Sequence, residues 1–177
     1  KPFILNALAA FTIEANVSTG IELLKTPYGT LSLLAAQFMS QPGATLADVL
    51  ALLKHPLVQS RAPQERENLR EALHTWAYAY YRQRRRHEEE SIPLWGKLKS
   101  FRQTWPTRAP IHAFLSHHLQ LLRELVGLEE GGDFDGPDGK ALAAFWAELT
   151  VHASYLNTPI HYAEYASYFK TLATWAE

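Results

Sequence analysis

The chain has 177 residues, of which 47% are hydrophobic and 20% charged, and this is the composition of an ordinary globular domain that can bury a core. Its 17 basic and 18 acidic residues give a net charge of −1, which excludes a global electrostatic attraction to nucleic acid and leaves only local patches for such contact. Because the chain contains no cysteine, disulfides, thiol catalysis and cysteine-bound metal centres are excluded within it, and a reducing, cytoplasmic compartment is expected.

The N-terminal segment combines a short apolar run with the one clear strand pattern in the sequence. Residues 3–11 predict a short helix, and this run lacks the cleavage-like end of a signal peptide. Residues 12–18 alternate apolar and polar side chains and end at Thr19-Gly20, which predicts a strand and a turn. One strand cannot pair with itself, and the chain starts in mid-pattern without methionine. We therefore expect an internal piece of a longer protein.

Helical periodicity dominates the remainder of the chain. Residues 26–29 predict the start of a helix over 30–39, and Thr45 caps a second helix that Pro56 ends. No run is long and apolar enough to span a bilayer, so no membrane association is expected. The predicted fold class is mainly α, an irregular helical domain with a small β element near the N-terminus. Further helices are predicted over residues 63–90, 94–105, 110–128, 138–156 and 161–177.

The stretch LALLKHPLV places Lys54 and His55 side by side in front of Pro56. Such a pair can take part in catalysis, contact phosphate, or end a helix. In the last turn of a helix, positive side chains meet the negative end of the dipole and the unpaired carbonyl groups. We interpret the pair as helix termination and packing, and the alternative is a contact with DNA or with a neighbouring domain.

Two basic segments are candidates for contact with nucleic acid. In RQRRRHEEE, residues 82–90, arginines precede glutamates by four residues, so on a helix the charges neutralise one another and predict a solvated helix end. Further along, basic residues alternate with Trp95, Phe101 and Trp105, as in single-strand binding, where aromatics stack on bases and cations follow the backbone. The same aromatic spacing is typical of a helix core face. The nucleic-acid-binding candidates are Lys97, Lys99, Arg102 and Arg108.

The remaining polar segments do not predict a metal or active site. Residues 131–140, GGDFDGPDGK, fail the EF-hand spacing when counted from Asp133, so they predict a flexible turn that leads to an N-cap at Asp138. No phosphate-binding loop, nucleophile elbow or metalloprotease pattern occurs. We therefore expect no catalytic residue, no metal and no cofactor in this chain. One predicted helix carries three histidines without metal-ligand spacing, His112, His117 and His118.

Four segments, taken in order, carry a family resemblance. Residues 13–34 follow a pattern of an apolar strand, a Ser-x-Gly turn, a leucine and a Thr-Pro-x-Gly helix start, which resembles the insertion point of a helical domain in superfamily 1 helicases. The segments LADVLALLKHPLV, GPDGKALAAFWAEL and HYAEYASYFKTL are similar to the AddB family, the non-motor subunits of bacterial AddAB helicase–nucleases of the alphaproteobacterial type. The matching motif residues are Ser18, Gly20, Leu23, Thr26, Pro27, Gly29, Lys54, His55 and Pro56.

The resemblance implies that residues 1–29 are the edge of a second motor-like domain and that residues 30–177 are a helical insertion domain of the 2B kind. It implies a non-catalytic structural or DNA-channel part of a double-strand-break repair subunit, with an AddA-like motor subunit and DNA as partners. The complex as a whole would be an ATP-dependent helicase and exonuclease. ATP, Mg²⁺ and an iron–sulfur cluster would belong to its other parts. Residues 59–110 depart from the family's pattern.

The alternative interpretation is a stand-alone helical domain for protein interaction or small-ligand binding. Aromatic side chains can line a pocket for a small molecule or a peptide. Aromatics at helical spacing are also the usual content of a core. The candidates for such a pocket are Trp76, Tyr78, Tyr80, Tyr81, Trp146, Tyr155, Tyr162 and Tyr165.

Overall fold

The computed structural model describes residues 23–41, 46–59, 93–128 and 132–175, together with the helical positions 67, 70, 71 and 74. This part of the chain is mainly helical with a small two-stranded antiparallel sheet, which confirms the predicted fold class. A 3-10 turn, Leu23–Lys25, comes first. The elements that follow are α1 (Pro27–Ser40), α2 (Leu46–Leu53), α3 (Pro56–Gln59), α4 (Pro93–Thr104), β1 (Arg108–Pro110), α5 (Ile111–Val126), α6 (Gly136–Ala153), β2 (Pro159–His161) and α7 (Tyr162–Trp175).

Helix α3 is not predicted by the sequence, in which Pro56 indicates only the end of the preceding helix, although proline is also favourable in a first turn. The other described helices agree with the sequence prediction to within about three residues at each end. Helix α6 begins at Gly136, two residues before the predicted N-cap at Asp138. Helix α1 begins at Pro27 and runs across the predicted domain boundary between residues 29 and 30. The predicted helix over 3–11, the strand over 12–18 and most of the predicted helix over 63–90 lie outside the described residues. The placement of a β element near the N-terminus therefore stays a prediction.

The two strands lie in segments for which the sequence predicts connections or a helix start. Strands β1 and β2 pair antiparallel, with Arg108 opposite His161 and Pro110 opposite Pro159. Each strand has three residues, which is too short for an alternation of apolar and polar side chains to be recognised. The backbone N–H of Tyr162 also donates to the Thr107 carbonyl oxygen at 3.0 Å, so the sheet leads directly into α7.

Helix α1 is at the centre of the domain. Its sequence, PYGTLSLLAAQFMS, contains no charged residue, as expected for a helix that is covered on several sides. Leu31, Ala35, Phe38 and Met39 are buried in the core. The helix packs along α7 and also contacts α2, α5 and α6, so elements from the whole described chain meet on it.

His118 of α5 lies in a group of aromatic rings that come from α5, α6, α7 and Trp105, which follows α4. We call this group the aromatic cluster, and it consists of His118 with Trp105, Phe114, Trp146, Tyr165 and Phe169. The Tyr165 ring stacks on Phe114 with centroids 5.3 Å apart, and Trp146 stacks on Phe169 at 5.5 Å. Offset and edge-to-face ring pairs at such distances stabilise a core beyond the area they bury. The cluster is therefore a major part of the hydrophobic core.

Candidate functional site

The Thr-Pro-x-Gly motif forms the start of helix α1. Thr26 is the N-cap residue, since its Oγ1 accepts a hydrogen bond from the Gly29 N–H at 3.0 Å and donates one to the Leu23 carbonyl at 2.8 Å. Pro27 is the first residue of the helix, where its fixed φ is favourable and its missing N–H costs nothing. A Cβ atom on Gly29 would lie 1.7 Å from the Leu23 carbonyl oxygen, so only glycine fits. The motif is thus a structural unit that folds the preceding turn over the helix.

Replacing Thr26 by alanine is expected to lower the free energy of unfolding by about 1 kcal/mol, because the Gly29 N–H and the Leu23 carbonyl both lose their side-chain partner. Urea denaturation followed by circular dichroism measures the change. Thr26→Ser keeps the hydroxyl and is the matched control, with an expected loss of less than half that amount. Equal losses in the two variants would contradict the capping role.

The sequence predicts that Lys54 and His55 lie in the last turn of α2, and this prediction is wrong: both residues lie beyond the end of the helix. Helix α2 ends at Leu53, and the two residues form a turn that leads into α3 at Pro56. The His55 N–H donates to the Leu52 carbonyl at 3.2 Å, and this bond closes α2. Its Nδ1 accepts a hydrogen bond from the Leu57 N–H at 3.3 Å, so the side chain caps α3. Lys54 is exposed, whereas His55 is buried.

The buried ring of His55 also connects this turn to helix α1. Its Nε2 lies 3.0 Å from Thr30 Oγ1, which can donate its own proton to the Pro27 or Thr26 carbonyl. In that arrangement Nε2 carries the proton and Nδ1 is the acceptor, which is the tautomer that the Leu57 bond requires. Burial lowers the pKa of His55 and favours this neutral form.

The segment DFDGPDGK contacts Tyr28 in the first turn of α1. The Asp135 N–H donates to the Tyr28 hydroxyl at 3.2 Å, and the Tyr28 ring meets Phe134 edge-on at 5.4 Å. Burial raises the pKa of Tyr28, and the Asp135 and Asp138 carboxylates add to this effect, so the phenol stays protonated. A Cβ atom on Gly139 would come within 2.6 Å of the Phe134 backbone, which makes this glycine necessary for the close approach.

A third contact joins helix α1 to helix α7. Ser40, at the end of α1, is buried and its Oγ accepts a hydrogen bond from the Ala166 N–H at 3.1 Å. The segments that carry the family resemblance and are described by the structure therefore converge on α1. The hydrogen bonds are made by Thr30 with His55 and by Ser40 with Ala166, and the GPDGKALAAFWAEL segment packs against α1 through helix α6. Ser18 and Gly20, the other predicted motif residues, lie outside the described part of the chain.

The four candidate nucleic-acid contacts do not share one environment. Lys97 forms an ion pair with Glu124 of α5 although its side chain is 57% exposed. Arg102 donates to the Gln41 carbonyl just beyond α1, and its guanidinium carbon lies 5.6 Å from the centre of the Phe38 ring. Arg102 thus stabilises the C-terminal end of α1. The two remaining candidates are exposed on the surface, Lys99 on α4 and Arg108 on β1.

The aromatic residues between these cations belong to the core. Leu98 and Trp105 are buried, and Phe101 packs against the core, as the helix-face interpretation predicts. The side chain of Trp95 lies outside the described residues. Two of the proposed pocket residues, Trp146 and Tyr165, are members of the aromatic cluster and are covered by other side chains. Their aromatic surface is used in packing.

The three histidines of α5 point to different surroundings. His112 is exposed, and His117 lies partly buried against Trp105 at a centroid distance of 6.0 Å. His118 is fully buried, with Nδ1 2.8 Å from the Tyr165 hydroxyl. Its role was not foreseen in the sequence, although its position on the apolar face of the helix is the signal that could have indicated burial. That face is formed by Ile111, Phe114, Leu115, His118, Leu121, Leu122 and Leu125.

Among the residues that the structure describes, no three histidine, aspartate or glutamate side chains come together as a metal-binding group. In the same part of the chain, none of the helices has both the length and the apolar character needed to cross a bilayer. Comparison of the sequence and the structure with protein-family models, curated proteins and solved structures gives no match.

Proposed function

We propose that the chain is a non-catalytic helical domain of an AddB-like subunit, which acts in double-strand-break repair in the cytoplasm beside an AddA-like motor subunit. The observation that carries the proposal is the convergence of the resemblance-bearing segments on helix α1, through Thr30, Ser40 and the packing of α6. If segments that resemble one family in order belong to one structural unit, they are expected to pack against one another in space, and this supports the proposal.

The chemistry of the motif residues supports a structural role. Thr26 and His55 cap helices, and Gly29 permits a close backbone approach. Each of these groups is occupied by a partner within the domain, and none is held as a nucleophile or a general base. The proposed domain shapes the surroundings of the DNA and contacts the rest of the complex, while the hydrolysis of ATP and DNA occurs elsewhere.

The proposed DNA contact is made by the exposed cations of α4 and β1, Lys99 and Arg108, with Lys97 as a third contributor. Fluorescence anisotropy with a labelled DNA single strand is expected to detect binding that weakens steeply with salt. For three phosphate contacts, the slope of log K against log salt is about −2, because each contact to a single strand contributes about −0.7.

Substitutions test whether these particular cations, and not surface charge in general, bind the DNA. The variants Lys99→Gln and Arg108→Gln are each expected to reduce the slope by about 0.7. Lys140→Gln, at an exposed position on α6, is the matched control and is expected to bind like the unmodified chain. Absent binding, or binding that does not depend on salt, would remove the DNA-contact part of the proposal. Hydrolysis of ATP or of linear DNA by the purified chain would contradict its non-catalytic part.

A further inference from the structure

Two buried histidines from different parts of the chain join helices that pack around α1: His55 bonds α1 itself, and His118 joins α5 to α7, which both contact α1. His55 bonds Thr30 Oγ1 of α1 at 3.0 Å and at the same time caps α3. His118 of α5 bonds the Tyr165 hydroxyl of α7 at 2.8 Å, and the Ser32 backbone of α1 lies beside its ring. The Nε2 atom of His118 does not reach hydrogen-bonding geometry with any group in the described residues. Both imidazoles are buried in the bundle.

The surroundings of His118 offer no charge that would stabilise an imidazolium ion. Helix α1 has no charged residue, α6 presents the Trp146 ring, and α7 presents the Tyr165 hydroxyl and the Phe169 ring. On α5 itself, the neighbouring His117 contacts Trp105 on another side of the helix. The titratable group in contact with His118 is therefore the phenol of Tyr165, and the described residues place no carboxylate against the ring.

The surroundings of His55 are similar. Helices α1 and α3 carry no charged residue, α2 carries one acidic residue, Asp48, and the cause of the lowered pKa of His55 is its burial. Lys54, next in the chain, is exposed. A proton added to Nδ1 of His55 would face the Leu57 N–H that this atom accepts, so protonation breaks the cap of α3. Burial therefore favours the neutral form of both imidazoles, and the Ser32 backbone opposes this effect only in part at His118.

We propose that His55 and His118 form an acid-sensitive clasp, which holds helix α1 in the bundle while both imidazoles are neutral and releases it when they become protonated. Aromatic rings attract a cation, but this attraction is weaker than the cost of burying an unpaired ion. The neutral form of His118 therefore prevails in the closed bundle.

The direction of the pH effect follows from proton binding. Burial lowers the pKa of His118 from 6.5 to about 3 and also lowers that of His55, so the open state binds more protons than the closed state. The stabilisation is complete above pH 6.5 and is lost as the pH falls towards the lowered values. Between pH 7.5 and pH 5, His118 alone raises the equilibrium constant for opening about 30-fold, and His55 raises it further.

Hydrogen exchange of the α1 amides in the whole chain measures this opening. The exchange rates, corrected for the intrinsic effect of pH on amide exchange, are expected to rise about 30-fold or more in the unmodified chain between pH 7.5 and pH 5. The double variant His55→Asn with His118→Gln keeps hydrogen-bonding side chains at both places and removes both titrations, so its corrected rates are expected to change little. His112→Gln, at an exposed position, is the matched control and should behave like the unmodified chain. Equal pH dependence in the double variant and the unmodified chain would overturn the clasp.

A measurement without substitutions covers the case in which the double variant fails to fold. Nitrogen NMR of the imidazole rings in the unmodified chain reports the tautomer and the protonation of each histidine. His118 is expected to remain neutral at pH 5.5, because burial lowers its pKa to about 3. An imidazole of His118 that titrates near its ordinary pKa of 6.5 would overturn the proposal irrespective of any variant.

Discussion

Replacing Gly29 by alanine is expected to lower the free energy of unfolding by about 4 kcal/mol or more, which is the range of the most damaging single substitutions. The new Cβ atom would lie 1.7 Å from the carbonyl oxygen of Leu23 and 2.6 Å from its carbonyl carbon. These atoms cannot move aside easily, because the Leu23 carbonyl accepts hydrogen bonds from both the N–H and the hydroxyl of Thr26. Urea denaturation followed by circular dichroism measures the loss.

Gly96 is the matched control for this substitution. It lies on the exposed side of α4, and a Cβ atom there would meet no other atom within 4 Å. Gly96→Ala is expected to raise the free energy of unfolding by about 0.5–1 kcal/mol, since alanine restricts the unfolded chain and favours a helix interior. If Gly29→Ala were as stable as Gly96→Ala, the turn at Leu23–Lys25 would not lie over the start of α1.

Replacing Tyr165 by alanine is expected to cost about 3–5 kcal/mol, as for other large aromatic residues removed from a core. Its side chain is fully buried, stacks on Phe114 and meets Trp105 edge-on at 5.4 Å. The substitution also leaves Nδ1 of His118 without its hydroxyl partner, and an unsatisfied buried group adds about 1–3 kcal/mol. Thermal and urea unfolding of the purified variants measure the loss.

A second tyrosine provides the comparison. Tyr155 follows α6 and is 73% exposed, so Tyr155→Ala is expected to change the free energy of unfolding by less than about 0.5 kcal/mol. Tyr165→Phe removes only the hydroxyl, so it measures the contribution of the hydrogen bond to stability apart from that of the ring packing. A Tyr165→Ala variant that is as stable as Tyr155→Ala would contradict the core assignment and would favour the alternative function, in which aromatic side chains bind a small ligand.

The sequence predicts the helices well because their signals are local. In α5 the apolar residues recur at helical spacing from Ile111 to Leu125, and this pattern alone defines which face is buried. The start of α1 is also recognisable, because Thr26 and Pro27 are strong signals for a helix N-terminus. The prediction begins at residue 30 and not at Pro27 because it treats the motif as an approach to the helix, whereas proline is favourable inside its first turn.

The partners of polar side chains could not be predicted, because they are distant in sequence. Arg102 was identified by its charge as a candidate for nucleic acid, but its partner is the Gln41 carbonyl, 61 residues away. His55 pairs with Thr30 across 25 residues, and His118 pairs with Tyr165 across 47. Periodicity indicates that a histidine lies on a buried face, but it does not indicate which hydroxyl that face will meet. The strands β1 and β2 were missed for the related reason that each depends on pairing with the other.

The central position of α1 has a consequence for the synthesis of the chain. Ser40 meets Ala166, which follows it by 126 residues, and Tyr28 meets Asp135 across 107 residues. At a translation rate of about 5–20 residues per second, the apolar surface of α1 waits roughly 6–25 s for α7 to be made. Contacts of such long sequence separation also slow folding, because distant segments must be brought together before they stabilise one another. During this interval the nascent domain exposes an uncharged apolar helix, and it depends on its C-terminal helix to complete folding.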